Sequence, residues 1–327
     1  MTTYAVIGSN CFTGSHIVDA LLADPHHEVI GVSRSPEYQP FFLPYKHHAM
    51  ARFRFHQIDV VGRSGDLLEL LDAAKPAVVI YVAALSEVAL SHERPVEYFE
   101  TNMVSVARLC DQLRRRSYLH RYVHISSAEV FGSCHVPVTE QTPFNPSTPY
   151  AASKAAADMY LSTLMEHFGF PALIIRSTNV YGKHQQLYKI IPRTILYLKR
   201  GKTIELHGAG KAMKSFIHIR DVVRGMMLAL EQDRIGTYHF SVPSEQTVAD
   251  IVRQTCEWMG CDLARSTRVV DERLGQDARY WLDCSKAHRE LGWSAQVPFE
   301  EGVKEVIEWL ELNDVAMRNE SLVYLHK

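Results

Sequence analysis

Short apolar runs alternate along the chain with longer segments in which apolar residues recur at helical spacing. This pattern is typical of parallel strands that alternate with helices. The predicted strands comprise residues 4–7, 28–32, 53–58, 78–82, 122–125 and 172–176. Because these runs are mostly apolar, they suit a sheet that is buried on both faces. The sequence therefore predicts an α/β fold with a doubly wound parallel sheet.

A glycine-containing turn joins the first predicted strand to the first predicted helix, residues 14–22. Glycines in such a turn let the backbone approach a pyrophosphate, which rests on the helix N-terminus. A regular glycine spacing would place glycine where Cys11 stands. We interpret Cys11 as a small side chain tolerated in a tight turn, with a redox-sensitive thiol as the alternative. The predicted cofactor contacts of this Rossmann-like turn are Gly8, Asn10, Cys11, Phe12, Thr13 and Gly14.

The end of the second predicted strand indicates which dinucleotide binds. An acidic residue there would bind the ribose 2'-hydroxyl of NAD, whereas a basic residue accommodates the 2'-phosphate of NADP. The sequence offers Ser33 and Arg34 and no acid, which favours NADP over NAD. Further cofactor contacts are predicted after the third and fourth strands, at Asp59, Val60, Ala83 and Ala84.

The strand and helix rhythm breaks after Tyr181 and returns between residues 215 and 241. This interruption predicts two interleaved domains. Residues 1–180 and the returning segment 215–242 are expected to form the dinucleotide-binding Rossmann domain. Residues 181–214 and 243–327 are expected to form a smaller substrate-binding domain.

A tyrosine and a lysine four positions apart, Tyr150 and Lys154, lie on one face of a predicted helix. A tyrosine with its ordinary pKa of about 10 is a poor base at neutral pH, and a nearby cation favours the phenolate. We therefore expect Lys154 to lower the pKa of Tyr150. Ser127 and Glu129 follow the fifth strand and add a hydroxyl and a carboxylate. These four residues are the predicted catalytic group.

These features together resemble the extended short-chain dehydrogenase/reductase family and, within it, the NDP-sugar 4,6-dehydratases of the dTDP-glucose type. The resemblance spans almost the whole chain. Beside the glycine turn and the tyrosine–lysine pair, it rests on Asn102 and on residues 127–132, 176–182, 189–192, 208–216 and 273–280. It implies that Asn102 contacts the cofactor. It also implies a homodimer that pairs through helices at residues 102–114 and 150–165, with Leu109, Met159 and Leu164 as candidate contacts.

The resemblance also implies a site for a nucleotide diphosphate sugar. Asn179 would lie beside the diphosphate, and Lys189, Lys214 and Arg279 would contact its charges, because amide and cationic donors suit a diphosphate. Lys214 stands where the family usually carries arginine, whose bidentate geometry an ammonium does not reproduce. The implied substrate-binding residues are Ser86, Ser127, Ala128, Glu129, Asn179, Lys189, Ile191, Lys214 and Arg279.

The implied reaction is a dehydration in which the cofactor stays bound and is recycled. Tyr150 would take the proton of the sugar C4 hydroxyl while hydride passes to the nicotinamide. Glu129 would then remove the C5 proton, water would leave, and the hydride would return at C6 to give a 4-keto-6-deoxy sugar.

Ala128 departs from the family, because these dehydratases place there an aspartic acid that protonates the departing C6 hydroxyl. Either Glu129 returns its proton, or water supplies one, or the reaction becomes a 5,6-dehydration, an epimerisation or a uronate decarboxylation. A nucleotide-sugar-binding protein without catalysis is the alternative from another class. The presence of all four predicted catalytic residues argues against it.

Composition narrows the partners. A net charge of -2 in 327 residues gives no basic footprint for nucleic acid or an anionic membrane. No signal segment or long apolar span is recognisable, and six scattered cysteines without a C-x-x-C pair indicate free thiols in the cytoplasm. The pairs His26-His27 and His47-His48 come with no carboxylate or cysteine framework, so we expect surface histidines and no metal.

Overall fold

The computed structural model describes residues 1–243, 246–271 and 277–324. Its main feature is a sheet of seven parallel strands in the order β10-β6-β5-β4-β1-β2-β3. Two small parallel pairs, β7 with β9 and β8 with β11, lie outside it. The strands are β1 (Thr2–Ile7), β2 (His27–Ser33), β3 (Phe53–Gln57), β4 (Val78–Tyr81), β5 (Arg121–Ile125), β6 (Ala172–Ser177), β7 (Asn179–Tyr181), β8 (Ile204–His207), β9 (Phe216–His218), β10 (Gly236–Phe240) and β11 (Thr267–Val270). The predicted doubly wound parallel sheet is confirmed.

Helices cover both faces of this sheet. They are α1 (Phe12–Ala23), α2 (Ser64–Ala74), α3 (Val88–Glu93), α4 (Pro95–Phe99), α5 (Ser105–Leu113), α6 (Pro149–Phe168), α7 (Ile190–Lys199), α8 (Ile219–Glu231), α9 (Val248–Trp258), α10 (Leu263–Ser266), α11 (Ser285–Leu291) and α12 (Phe299–Leu312). A π-helical turn, Glu100–Val104, joins α4 to α5, and a short 3-10 turn, Ala128–Phe131, follows β5.

The alternation of side chains along the strands separates two apolar cores. Val6 of β1 faces the core that α1 and α8 cover, whereas its neighbour Ile7 faces the core that α2, α5 and α6 cover. Successive residues of a strand point to opposite faces, so one apolar run supplies both layers. This explains why the strands read as continuous apolar segments.

Helix α6 carries the predicted tyrosine–lysine pair and has well-defined ends. The Thr148 side chain caps it by accepting a hydrogen bond from the Ala151 amide at 3.1 Å. Pro149 occupies the first turn, where no amide donor is needed, and Gly169 ends the helix in the left-handed conformation. Tyr150 is therefore held in the first turn, next to the carboxyl end of the sheet.

The predicted domain boundaries remain a prediction. The packing of residues 287–293 bears on the extent of the smaller domain. Strand β10, within the returning segment 215–242, pairs with β6 at the edge of the main sheet. Ala287, Leu291 and Trp293 fall in the segment predicted for the smaller domain, yet they belong to the core beneath the main sheet. A separate core is formed mainly by α7, α12 and the nearby small strands.

The burial of individual side chains decides which of the predicted dimer contacts could reach a second subunit. Leu109 and Leu164, two candidate dimer contacts, are buried in the core of the main sheet and are not available to a second subunit. Met159 is 59% exposed.

No helix within the described ranges has the length and apolar character needed to cross a membrane. Each of the six cysteines is a free thiol.

Candidate functional site

A cleft of about 580 Å³ opens at the carboxyl ends of the main strands. Ligands of open parallel α/β sheets bind at this edge, in the crevice where the strand order reverses. Of the predicted site residues, the cleft is lined by Gly8, Asn10, Cys11, Phe12, Thr13, Ser33, Arg34, Asp59, Val60, Ala83, Ala84, Ser86, Ser127, Ala128, Glu129, Tyr150, Lys154, Asn179 and Lys189. The structure thus brings most of them to one place.

Two glycines shape the turn between β1 and α1. Gly8 has a φ of +98°, and a Cβ there would lie 2.6 Å from the Ala83 nitrogen. Gly14 does not line the cleft, but a Cβ on it would lie 2.1 Å from the Gly8 carbonyl oxygen. Both positions therefore require glycine for close backbone approach. The turn leaves the N-terminus of α1 facing the cleft, which suits the pyrophosphate of a dinucleotide.

Cys11 has a structural role where a regular motif would carry glycine. Its φ of -74° needs no glycine, and its Sγ atom accepts a hydrogen bond from the Gly14 amide at 3.2 Å, which caps α1. Burial raises the pKa of the Cys11 thiol to about 11. The thiol is therefore protonated at neutral pH, which argues against the alternative of a redox-sensitive thiolate.

The end of β2 presents hydroxyl and cationic groups. The buried Ser33 hydroxyl accepts a hydrogen bond from the Asn10 amide at 3.0 Å, while the exposed Arg34 lines the cleft. At the end of β3, the Asp59 carboxylate accepts hydrogen bonds from the Val61 and Gly62 amides at 3.1 and 3.3 Å. Asp59 thus holds its own turn while lining the cofactor side of the cleft.

The environment of Tyr150 differs from the prediction. Burial, followed by the charge of Glu129, raises the pKa of Tyr150 above its ordinary value, and a hydrogen bond with Ser127 lowers it. The pKa is thus raised on balance, and the lowering expected from Lys154 stays a prediction. The Lys154 ammonium donates a hydrogen bond to the Ile125 carbonyl oxygen at 2.8 Å and lies 3.2 Å from His124 Nε2. These two contacts direct the ammonium toward β5.

A buried polar network lies behind Lys154. Asp158 accepts hydrogen bonds from Ser126 Oγ at 2.9 Å and from Arg176 Nε at 2.8 Å. His124 is also buried, and burial together with the charges of Lys154 and Arg176 lowers its pKa well below the ordinary value. Burial lowers the pKa of Lys154 to about 8, against the opposing effect of Asp158. The network fixes Lys154 at the floor of the cleft.

Glu129 lies next to Tyr150 in the cleft. Burial raises its pKa to about 7, while the charges of Lys214 and Lys189 and a hydrogen bond from Tyr280 act in the opposite direction. Its Oε2 atom is buried and makes no hydrogen bond within the described part of the chain. A carboxylate of this pKa can accept a proton near neutral pH.

The predicted diphosphate contacts come from separate elements. Lys189, the N-cap residue of α7, pairs with Glu87 at 3.6 Å, and the Asn179 amide donates to the Ser215 carbonyl oxygen at 3.2 Å. Lys214 and Arg279 do not line the cleft. The Lys214 ammonium lies 4.2 Å from the ring centre of Tyr280. Residues 273–276 of the last predicted motif lie outside the described residues.

Two residues that were predicted to contact the cofactor or the substrate, Asn102 and Ile191, do not line the cleft. Asn102 is fully buried in the π-helical turn, where its side chain bonds the amide and carbonyl of Leu85 at 2.9 Å each and Ser153 Oγ at 3.0 Å. It holds the loop after β4 and does not line the cleft. Ile191 packs in the core formed by α7 and α12, whereas its neighbour Ile190 lines the cleft.

Several aromatic residues of the cleft were not predicted as site residues. They are Tyr38, Phe42, Tyr188, Phe216, Tyr280 and Tyr324. The rings of Tyr188 and Tyr324 meet edge to face at 5.2 Å, which brings the end of the described chain against the cleft. Position 280 lies within a recognised motif, whereas the approach of position 324 depends on contacts that no local pattern indicates.

The paired histidines differ from the prediction in one respect, since a carboxylate does accompany them. Asp19 of α1 lies 3.0 Å from His48 Nε2 and 3.6 Å from His47 Nδ1. His47 Nδ1 also lies 2.6 Å from the Pro44 carbonyl oxygen. These hydrogen bonds engage the three side chains within the protein, and the absence of a metal stays a prediction.

Comparison with known proteins identifies relatives along nearly the whole chain. The family model for GDP-mannose 4,6 dehydratase matches residues 6–306. The dTDP-glucose 4,6-dehydratase of Haemophilus influenzae is 29% identical over 346 residues, which cover 96% of this chain and 99% of the relative. Both comparisons extend across the two predicted domains.

Solved structures give the same result. DesIV, a dTDP-glucose 4,6-dehydratase from Streptomyces venezuelae with NAD bound, matches with a TM-score of 0.87 and 31% identity, covering 96% of this chain and 98% of its own. MoeE5 in complex with UDP-glucuronic acid and NAD matches with a TM-score of 0.84 and 25% identity, covering 96% of this chain and 100% of its own.

Proposed function

Because the chain belongs to the GDP-mannose 4,6 dehydratase family, we propose that it is an NDP-sugar 4,6-dehydratase acting on an NDP-hexose. The observation that carries the proposal is the placement of Tyr150 and Glu129 side by side in one cleft, Glu129 with a pKa of about 7. A dehydration needs a base for the C4 hydroxyl and a second base for C5. A simple 4-epimerisation needs only the first.

Oxidation at C4 is the task of the residues around Tyr150. Its phenolate oxygen, held by Ser127, would accept the proton of the C4 hydroxyl, and the ammonium of Lys154 would add positive charge to the cleft. A bound oxidised nicotinamide accepts the hydride and contributes its own positive charge. Nearby positive charge favours the phenolate, which offsets the raised pKa of the buried tyrosine.

Removal of the C5 proton is the task of Glu129. A ketone at C4 makes this proton more acidic, and the unpartnered Oε2 atom is free of competing hydrogen bonds within the described chain. The product expected after loss of water and return of the hydride is a 4-keto-6-deoxy sugar. We propose Lys189 and Asn179 as contacts of the diphosphate, because both line the same cleft.

The ionisation of Glu129 should control the pH profile of elimination. The rate of water loss is expected to rise with pH through about 7, because only ionised Glu129 accepts the C5 proton. The Lys214 charge lowers this pKa, so Lys214→Met should move the rising limb to higher pH. Single-turnover measurements with saturating sugar test the shift. A limb that stays in place, or moves to lower pH, would show that Glu129 is not the titrating group.

The preferred dinucleotide is proposed to be NADP, tightly bound and recycled, because Arg34 lines the cleft and the stretch from Ser33 to Ser35 carries no acid. Arg34→Asp should weaken NADP binding by about 10- to 100-fold, the effect of losing a charge-assisted hydrogen bond, and favour NAD. Titration of the cofactor-free protein with each dinucleotide measures both affinities. Arg54→Asp, on β3 outside the cleft lining, is the matched control. Wild-type protein that prefers NAD would contradict the proposal.

Two further proposals concern the setting of the enzyme. The family resemblance supports a homodimer that pairs through α5 and α6, and the exposed Met159 on α6 is available to such a contact. Six free thiols favour a reducing compartment, in keeping with the cytoplasm.

Incubation with dTDP-glucose tests the proposed function, and UDP-glucose, GDP-mannose and UDP-glucuronic acid complete the panel. The expected product has lost one water and carries a 4-ketone. A product of unchanged mass that is epimerised at C4 would favour the epimerase alternative, for which Ala128 is the structural argument. Loss of carbon dioxide would indicate a uronate decarboxylase.

A further inference from the structure

At position 128, where these dehydratases carry an aspartic acid, this protein has the apolar residue Ala128. Ala128 is 1% exposed and packs in a cluster with Val130, Ala155 and Tyr280. Its methyl group cannot donate a proton to the departing C6 hydroxyl. A candidate donor is a phenol, because the ring that packs in this cluster belongs to Tyr280, which also lines the cleft.

Tyr280 is held firmly beside Glu129. The segment that carries it is fastened to the loop after Glu129 by hydrogen bonds from the Cys134 amide to the Arg279 carbonyl oxygen at 2.9 Å and from the Val138 amide to the Trp281 carbonyl oxygen at 2.8 Å. The Tyr280 hydroxyl lies close enough to Glu129 to lower the pKa of that carboxyl, and it donates a hydrogen bond to Asp277 Oδ2 at 3.1 Å.

Asp277 fixes this arrangement without competing for the role of donor. It is buried, and its carboxylate accepts hydrogen bonds from Ser133 Oγ at 2.9 Å and Ser147 Oγ at 2.8 Å. The Tyr280 hydroxyl is a third donor to this carboxylate, so Asp277 holds the phenol oxygen in place. The Tyr280 hydroxyl thus stands between two carboxyl groups, one in the cleft and one behind it.

We propose that Tyr280 is a catalytic residue that carries the proton from Glu129 to the departing C6 hydroxyl. This inference rests on the proposed dehydration. The C5–H bond breaks as its proton passes to the Glu129 carboxylate, and the electron pair forms the enolate of the 4-ketone. The C6–O bond then breaks with its electrons on oxygen, which takes the Tyr280 proton and leaves as water. The proton on Glu129 restores the phenol, so both residues end as they began.

Electrostatics favour this order of events. Burial, then the charges of Glu129 and Asp277, raise the pKa of Tyr280 far above its ordinary value, so the free phenol is a weak acid. Once Glu129 holds the C5 proton, its negative charge is neutralised and one cause of the raised pKa disappears. Transfer of the Glu129 proton in the same step avoids a lasting phenolate. Tyr280 therefore becomes a better donor when the enolate has formed.

Tyr280→Phe tests the relay, because it removes the hydroxyl and keeps the ring that packs against Ala128. Water loss from dTDP-glucose is expected to fall by about 10²- to 10⁴-fold. Formation of reduced nicotinamide and solvent-deuterium exchange at C5 should both persist, since Tyr150 and Glu129 remain. Tyr238→Phe, which removes a hydroxyl bonded to Glu290 outside the cleft lining, is the matched control and should eliminate water normally.

A second substrate separates proton donation from a structural role. In dTDP-6-deoxy-6-fluoroglucose the leaving group is fluoride, which departs without a proton. Tyr280→Phe should therefore eliminate fluoride at close to the wild-type rate while it fails to eliminate water. Equal losses with both substrates, or no loss with either, would overturn the relay. Wild-type protein that eliminates water from none of the nucleotide sugars in the panel would instead refute the proposed dehydratase function.

Discussion

Replacing Tyr150 with phenylalanine is expected to slow oxidation of the sugar at C4 by about 10²- to 10⁴-fold, the usual cost of losing general-base catalysis. The substitution removes the oxygen that would accept the proton of the sugar C4 hydroxyl, and it leaves the buried ring in place. Mixing the cofactor-loaded variant with dTDP-glucose and following the absorbance of reduced nicotinamide in a single turnover measures the effect. No reduced nicotinamide should form on the time scale of the wild-type reaction.

Tyr98→Phe provides the matched control for this experiment. The Tyr98 ring packs edge to face on Tyr150 at 6.4 Å, and its hydroxyl donates to the Glu87 carbonyl oxygen outside the lining of the cleft. The Tyr98→Phe variant removes a tyrosine hydroxyl next to Tyr150 but keeps Tyr150 as the base. A decrease for Tyr150→Phe no larger than that for Tyr98→Phe would remove Tyr150 from the chemistry.

Replacing Glu129 with glutamine should stop the reaction after the oxidation. Glutamine keeps the shape of the side chain but cannot accept the C5 proton, so water loss and C5 exchange in deuterated solvent should disappear. Reduced nicotinamide should persist together with a trapped 4-keto sugar. The charge of Glu129 raises the pKa of Tyr150, so its removal should leave the C4 oxidation as fast as in the wild type or faster.

Glu140→Gln is the control for this carboxyl replacement. Burial also raises the pKa of Glu140, but its Oε1 atom accepts a hydrogen bond from the His239 amide outside the lining of the cleft. It should retain C5 exchange and product formation. If Glu129→Gln also retained them, Glu129 would not be the base, and an epimerase or a simple dehydrogenase would describe the protein better.

The main sheet was predictable because its evidence is local. Each central strand is an apolar run bounded by a turn or helix signal, and the order of the elements determines a parallel sheet. The carboxyl edge of that sheet then gathers residues such as Gly8, Ala83 and Ser127 that follow different strands. The predicted site residues that come directly after strand ends therefore line the cleft.

Predictions about side-chain direction depended on packing that the sequence does not record. Ile191 and Ile190 are neighbours in one motif, yet only Ile190 lines the cleft, because the start of α7 sets their rotation about the helix axis. The spacing of Tyr150 and Lys154 placed both at the cleft but did not indicate the hydrogen-bond partners of the ammonium. Its direction follows from β5, which supplies the Ile125 carbonyl and His124.

The departures at Cys11 and Ala128 show two ways in which a fold accommodates a motif change. At Cys11 the backbone φ is negative, so the motif glycine is not required, and the thiol caps α1 instead. At Ala128, the Tyr280 side chain, which comes from a distant segment of the chain, packs near the position where the family carries an acid. Tyr280 is 152 positions along the chain from Ala128, so their contact became visible only in three dimensions.

The most direct test of the central claim follows one hydride through the reaction. The wild-type protein is given dTDP-glucose that carries deuterium at C4, with catalytic amounts of unlabelled dinucleotide, and the product is analysed by mass spectrometry and NMR. An internal redox cycle predicts a 4-keto-6-deoxy product that has lost one water and carries the deuterium in its C6 methyl group. Deuterium retained at C4 of an epimer, or released into free reduced dinucleotide, would contradict the account.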